Sequence, residues 1–340
     1  MSLQAHAYVT LNPNFMEPEI LMQYSQASGF VDTLAGGTMR TRLGEDDLIV
    51  YMKQMNLRTK MAAATATANE LPGVDISATM LSAPTYMQRV RATYDHHDVA
   101  AGGRWGFSVV EAYRLGCRQG HYQLARDANL FGFNPQNGEG LINTPGALST
   151  NLPADTNGND TVLTYDNGQM AFYLAQIILG IKTRTNQLGL GRKFTILGPQ
   201  RTLGVFQYNV VQLVQYQRVG AGTASTAGTL KSIVMDNGDE LTWAYDDTLQ
   251  GAAGSSDTDY VIVAMPEVEK PAGGEVNTNI FASLNPSNPV CITQYCDMAA
   301  PREIISPLAG GATDFLQEWR ITSGWAPRYQ ALTLISMTYS

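Results

Sequence analysis

Five consecutive residues, Tyr94-Asp95-His96-His97-Asp98, are the first place in this chain where metal or acid–base chemistry could sit. Zinc needs three or four ligands converging from defined spacings. Read as a strand, adjacent histidines project to opposite faces, and only His6 and His121 exist elsewhere. A solvated or interface pair is the expected reading. Gly189-Leu190-Gly191-Arg192-Lys193 invites a phosphate-loop reading. Such a loop follows a strand and opens a helix so that backbone N–H groups cradle phosphate. Here the glycines precede the expected strand, and no Ser or Thr follows the Lys. A helix-ending turn accounts for them. Serine hydrolase chemistry wants Gly-x-Ser-x-Gly on a sharp turn, and that pattern does not occur. Asp236, Asp239 and Glu240 surround Asn237-Gly238, which reads as a hairpin turn where acidic residues are ordinary. The three cysteines (Cys117, Cys291, Cys296) lack a metal-ligand arrangement, and reduced thiols are expected. No catalytic, cofactor-binding or metal-binding set is assigned.

Composition points the same way. The chain has 340 residues, enough for roughly two domains. Only 15% are charged while 44% are hydrophobic, against an ordinary charged fraction of about 25%. Large permanent interfaces show this depletion, because a charge removed from water needs a partner. The net charge of −8 argues against gripping nucleic acid through its phosphates. No basic-then-apolar leader opens the chain, and no apolar run approaches the ~20 residues of a membrane span.

The elements that would position these residues begin with a long helix over about 107–130. Val110, Tyr113, Cys117, His121, Leu124 and Ala128 recur at steps of three and four, giving one narrow apolar stripe. Gly116 and Gly120 each cost about 1 kcal/mol against alanine inside it, so the helix reads either as a surface helix with two weak points or as a spine that a neighbouring backbone approaches. A glycine-rich turn follows, with Gly138, Gly140, Asn143, Pro145 and Gly146. Upstream, residues 57–98 read as a long hairpin: Leu57 to Asn69, a turn at Leu71-Pro72-Gly73, then a return strand. In that strand Tyr86, Gln88, Val90, Ala92 and Tyr94 face one way, and Met87, Arg89, Arg91 and Thr93 the other. A two-stranded ribbon is marginal alone and needs something to lie on.

Residues 1 to about 45 read as an extended arm with one short helix near Glu19 to Gln26. Ala147 to Asp160 reads as loop, and Gly168 to Leu188 as a helix capped by Asp166 or Asn167. A strand follows at Phe194 to Leu197, a break at Gly198-Pro199, and a helix at 200–209. Short strands are expected at Ser232–Met235, Leu241–Tyr245 and Tyr260–Met265. The end returns to strand at Glu318–Gly324 and Ala331–Met337.

The spine helix with Gly140-Leu141-Ile142-Asn143-Thr144-Pro145-Gly146 behind it resembles viral major capsid proteins of the Hong Kong 97 type, a fold shared with encapsulin shells. The closing segment, WRITSGWAPRYQALTLISMTY over residues 319–339, is similar to the end of the same subunits. Together the resemblance spans roughly 57–340 as an order of motifs. It implies an α+β chain with an N-terminal arm (1–56) and an extended hairpin loop (57–98). A peripheral domain with the spine (99–146 and 301–340) and an axial domain (147–300) would complete it. It implies a structural protein of a phage virion, assembled in the host cytoplasm. Hexamers and pentamers of the chain would form an icosahedral head around double-stranded DNA. Partners would be the chain itself, with separate scaffolding, portal and decoration proteins possible, and no membrane. The ribbon would reach over an adjacent subunit and bring Arg89, Arg91, Tyr86 and Tyr94 to inter-subunit contacts. An encapsulin-like bacterial compartment and a soluble α/β enzyme with an unrecognised site are the alternatives.

Overall fold

In the computed structural model the described residues are 38–59, 74–104, 106–185, 191–208, 226–236, 238–269, 290–292, 294–308 and 310–340. The arm before 38, its expected short helix, the turn at Leu71-Pro72-Gly73, and Gly189 and Leu190 lie outside them. In chain order the elements are β1 (Thr38–Leu43), β2 (Ile49–Thr59), β3 (Val74–Tyr94), α1 (His96–Arg104), α2 (Val109–Leu130), β4 (Leu148–Asn151) and α3 (Asn167–Thr185). Then come β5 (Lys193–Gly198), α4 (Gln200–Tyr208), α5 (Thr226–Asp236), β6 (Glu240–Tyr245), β7 (Thr258–Ala264), β8 (Glu267–Glu269) and β9 (Val290–Ile292). The chain closes with β10 (Tyr295–Ala299), β11 (Arg302–Pro307), β12 (Thr313–Thr322) and β13 (Leu332–Thr338).

Two sheets organise these elements. The first runs β1-β10-β12-β3-β2, with β11 also on β12, and the second runs β4-β13-β7-β5-β6. β8 and β9 form a small pair of their own. In the first sheet β12 buries Phe315, Gln317, Trp319 and Ile321 on alternate positions, the period-2 pattern of a strand with one covered face. The helix α2 lies on that face. In the second sheet β7 reads Tyr260-Val261-Ile262-Val263-Ala264 without alternation, because both faces are covered. Val261 and Val263 meet Met170, Leu174, Ile178 and Ile181 of α3 with Leu203 and Leu230, while Ile262 and Ala264 meet a second cluster. That second cluster includes Leu130 from the end of α2 and Leu141 from the loop after it. The spine's last turn is thus the joint between the two sheets.

Several expectations need correction. Ser232–Met235 belongs to the helix α5, not a strand. Ala227, Leu230 and Val234 are buried together, and steps of three and four place them on one helical face. The stretch 147–160 contains β4, which adds a parallel strand beside β13. Asp236, Asp239 and Glu240 flank the passage from α5 into β6 rather than a hairpin. The last strand, β13, pairs with β7 and β4, so it completes the second sheet rather than the one beneath the spine. The ribbon's first strand begins at Ile49, ahead of the expected 57. His96 and His97 open α1 instead of ending a strand. Asp95 accepts hydrogen bonds from the backbone N–H of His97 (2.7 Å) and Asp98 (2.9 Å), and Asp98 accepts one from that of Asp95 (3.1 Å). This reciprocal cap holds Asp95 below the usual carboxylate range, the donors outweighing the cost of desolvation. It uses the acidic pair for helix initiation. Among the described residues no group of three His, Cys, Asp or Glu could hold a metal.

Candidate assembly site

Three features of the described residues stand out: a ribbon, the strand that roots it, and the joint at the end of α2. The first is the ribbon. β2 and β3 pair from Ile49↔Pro84 to Thr59↔Val74, while β12 pairs with β3 only from Thr85 onward. For those registered pairs the ribbon is therefore two strands wide, and at about 3.3 Å per residue it is roughly 35 Å long. Its described root exposes Leu48 (68%), Tyr51 (63%) and Met80 (64%) together with Ile49. The root is tied down by polar contacts. The Thr85 hydroxyl donates to the Asp47 carbonyl (2.6 Å), and Arg320 donates to that carbonyl (3.2 Å) and to Thr85 Oγ1 (3.0 Å). Nothing in the sequence pattern marked Thr85 or Arg320 for this.

The second is the far half of β3, where the expected alternation is observed: Arg89 and Arg91 are exposed and Tyr86 and Tyr94 half-buried. The acidic partners of the two arginines lie on the same chain. Arg89 pairs with Glu318 (2.8 Å) and Arg91 with Asp314 (2.6 Å), both across β12. Such exposed pairs contribute about 0–1 kcal/mol each. The two tyrosines point at the spine side: Tyr94 stacks on Tyr113 of α2 (centroids 6.1 Å), and Tyr86 packs on Phe133 (4.7 Å). All four thus have partners within the chain.

The third is the end of α2 and the loop after it. A helix leaves its last carbonyls unsatisfied, and here the chain returns to fill them. Leu141 N donates to Asn129 O (2.9 Å), Ile142 N to Leu130 O (3.1 Å) and Gly324 N to Ala128 O (3.0 Å). The Asn143 side chain donates to Phe131 O (2.9 Å) and Glu139 O (3.1 Å). Gly140 donates to Gly324 O (2.9 Å) and has φ +87°. A Cβ there would stand 2.4 Å from the Phe131 carbonyl carbon. Gly138 packs against the ring of Pro145, and Gly146 against Tyr329. The expected turn glycines Gly138, Gly140 and Gly146 all have positive φ, at +76°, +87° and +79°. The sequence reading missed Gly132, Gly324 and Glu139. Glu139 is buried, and its carboxylate accepts from Tyr86 Oη (2.7 Å), Ser323 Oγ (2.6 Å) and Asn134 N (3.1 Å). Burial, then the bond to Glu139, pushes the Tyr86 phenol up to about 12. One carboxylate thereby ties the ribbon strand, the end of β12 and the spine loop together.

The spine itself is bare along much of its length. Gly116 and Gly120 are exposed, and an added Cβ at either would meet nothing within 4 Å. Among the described residues, then, no close backbone approach explains these glycines. Exposed Leu115 and Tyr122 lie on the same helix.

Comparison with solved structures then decides the architecture. The chain is similar to the subunit in the capsid of Myoviridae phage XM1, with a TM-score of 0.66 over 95% of this chain and 96% of that one, at 9% identity. The capsid of the cyanophage P-SCSP1u gives 0.55 over 98% and 94% at 11% identity. The capsid of a native GTA particle gives 0.53 over 98% and 97% at 10% identity. The fold is of the Hong Kong 97 type. No protein-family model and no curated protein matches the sequence, so the likeness lives in the arrangement of elements. That arrangement is α+β, as the order of motifs implied.

Proposed function

We propose that this chain is the major capsid protein of a tailed bacteriophage, a structural protein rather than an enzyme. Copies join into hexamers and pentamers that close an icosahedral head around double-stranded DNA. The observation that carries this reading is the Hong Kong 97-type fold, matched end to end by the XM1 capsid subunit. The described ribbon supports it. A two-stranded limb with apolar residues at its root is marginal in water and is satisfied by lying on a neighbouring copy. Head-to-tail contacts of that kind generate closed rings. The low charge fraction and the net charge of −8 suit broad contacts between copies and a genome held without sequence-specific binding. On this reading the protein resides in the virion, after assembly in the host cytoplasm. Separate scaffolding, portal and decoration proteins are compatible partners. The division into arm, ribbon, peripheral and axial regions is kept as part of the proposal, with the ribbon beginning at Ile49 and the last strand lying in the second sheet. So are inter-subunit roles for the exposed guanidinium faces of Arg89 and Arg91. The test is expression of the full chain, alone and with the assembly proteins of its source, followed by size exclusion and negative-stain microscopy. Rings or closed shells of uniform size support the reading. A monomer or dimer under every condition sinks it, and shells filled with co-purified enzyme would assign the chain to a cargo compartment.

A further inference from the structure

The spine helix is held unevenly. From 109 to 124 its only buried side chains are Cys117 and His121, whereas Ala125, Ala128, Asn129 and Leu130 are all buried at its end. Cys117 is small, so His121 is the principal buried side chain in the first two-thirds of α2, which is otherwise tied by the Tyr113–Tyr94 stack to β3 and by the Arg114–Glu303 pair to β11. Its imidazole meets the indole of Trp319 edge-on, with centroids 4.9 Å apart and planes at 86°. The contact is polar but incompletely satisfied. His121 Nε2, Gln317 Oε1 and Trp319 Nε1 have no hydrogen-bond partner among the described residues.

We propose that His121 is an acid-released clasp between the spine helix and the sheet. Protonating its imidazole frees the N-terminal two-thirds of α2 from β12, while the loop bonds at Asn129, Leu130 and Phe131 keep the far end fixed. The physical cause is burial. A charge placed at a site about 95% enclosed loses its hydration, and the cost falls on the contact that encloses it. Burial holds His121 below the ordinary histidine range, with Gln317 opposing weakly. Among the described residues, the titratable groups around it do not supply a free counter-charge. On α2, Cys117 is held protonated by burial, and Tyr122 also meets Trp319 edge-on. From β11, Glu303 lies opposite Gln317 in register and is matched by Arg114 (3.4 Å). The strand β3 contributes Tyr86 and Tyr94, β10 contributes Cys296, and α1 contributes Asp98, which faces Tyr113 at the helix's other end. The sign follows from linkage. A histidine with a depressed folded pKa lends stability that is present above about 6.5 and is lost as pH falls through that folded value.

The inference concerns the subunit alone and does not depend on the shell reading. It is tested on the full chain by hydrogen exchange, expressed as protection factors, between pH 7.5 and 5. Amides of 110–121 should lose protection by up to about tenfold per pH unit below 6.5, while those of 126–130 hold. In parallel, Trp319 emission should be quenched as the neighbouring imidazole charges, with Trp319→Phe assigning the signal. His121→Phe, which keeps a ring against Trp319, should abolish both changes. Should that variant fold poorly, His121→Gln serves, and the wild-type exchange profile decides on its own. Protection of 110–121 that is flat across this pH range, or a step that survives in either variant, overturns the clasp.

Discussion

The carboxylate of Glu139 collects two hydroxyls and an amide from three separate stretches of chain, so its removal is not a local event. Glu139→Ala leaves the buried Ser323 hydroxyl without its acceptor, at about 1–3 kcal/mol, and the half-buried Tyr86 hydroxyl and Asn134 amide at a smaller cost each. A loss of roughly 2–4 kcal/mol is expected by denaturant unfolding, and much less for Glu139→Gln, which keeps an acceptor oxygen. Equal losses for the two variants would show that the carboxyl group only fills space. Tyr86 gives this site a second readout. Its folded pKa near 12 stands above the ordinary 10, so the stabilisation is complete below pH 10 and fades as pH rises through 12. Tyr86→Phe should flatten that part of the alkaline unfolding curve, while an unchanged slope would assign it elsewhere. Gly140 is a third residue-scale case. An alanine there adds a strained positive φ, about 1–2 kcal/mol, to a 2.4 Å backbone clash. Gly140→Ala should therefore cost at least about 2 kcal/mol and unlatch Leu141 from the second sheet. The turn glycines were legible in the sequence because glycine types reflect backbone geometry. Glu139 was not, because its three partners are set by folding rather than by spacing.

Elements were read correctly where a single period dominated. The helices α2 and α3, the alternation of β3 and the core strands β5 and β7 all carry unbroken patterns over enough residues to decide between 3.6 and 2. α5 was misread because Ile233, Val234 and Met235 form a short apolar run that either period accepts. Its true stripe needs Ala227 and Leu230. The buried pair between Lys182 of α3 and Asp239 before β6 was also hidden, since the acidic residue looked like ordinary turn chemistry. Both side chains are almost wholly enclosed, and Asp239 also accepts from Arg192 N (2.9 Å). Asp166, by contrast, was named as a cap and accepts from Gln169 N (2.8 Å). Leaving one buried charge without its partner costs about 3–5 kcal/mol. Lys182→Met should lose that much in chemical unfolding, loosening α3 from the strand it flanks. Adding Asp239→Asn, which keeps an acceptor for Arg192, should recover most of the loss. A double variant no better than the single would mean the pair's charges are not what joins these elements.

At the scale of the whole molecule, the peripheral features outweigh the core in deciding what the chain is for. The two sheets meet through the end of α2 and would make a stable body without the outer ribbon, which among the described residues pairs only with itself beyond Thr85. The sequence showed that a ribbon existed, because β3 alternates over its second half. It did not show where the ribbon leaves the body, since that depends on β12 stopping at Thr322 opposite Thr85. The register now supplies a clean excision. Asn56 and Ser77 are paired, so removing 57–76 and joining them by a two-residue Asn-Gly turn preserves the strand pairs nearer the body. The shortened chain should keep the wild-type melting temperature within a few degrees, since the three described core clusters are left intact. It should fail to form the rings or shells of the full chain under matched conditions, as judged by negative-stain microscopy. A normal shell from the shortened chain would remove the ribbon from the assembly mechanism. A collapse in melting temperature would instead make the ribbon part of the subunit's own stability, and the two outcomes are separable in one preparation.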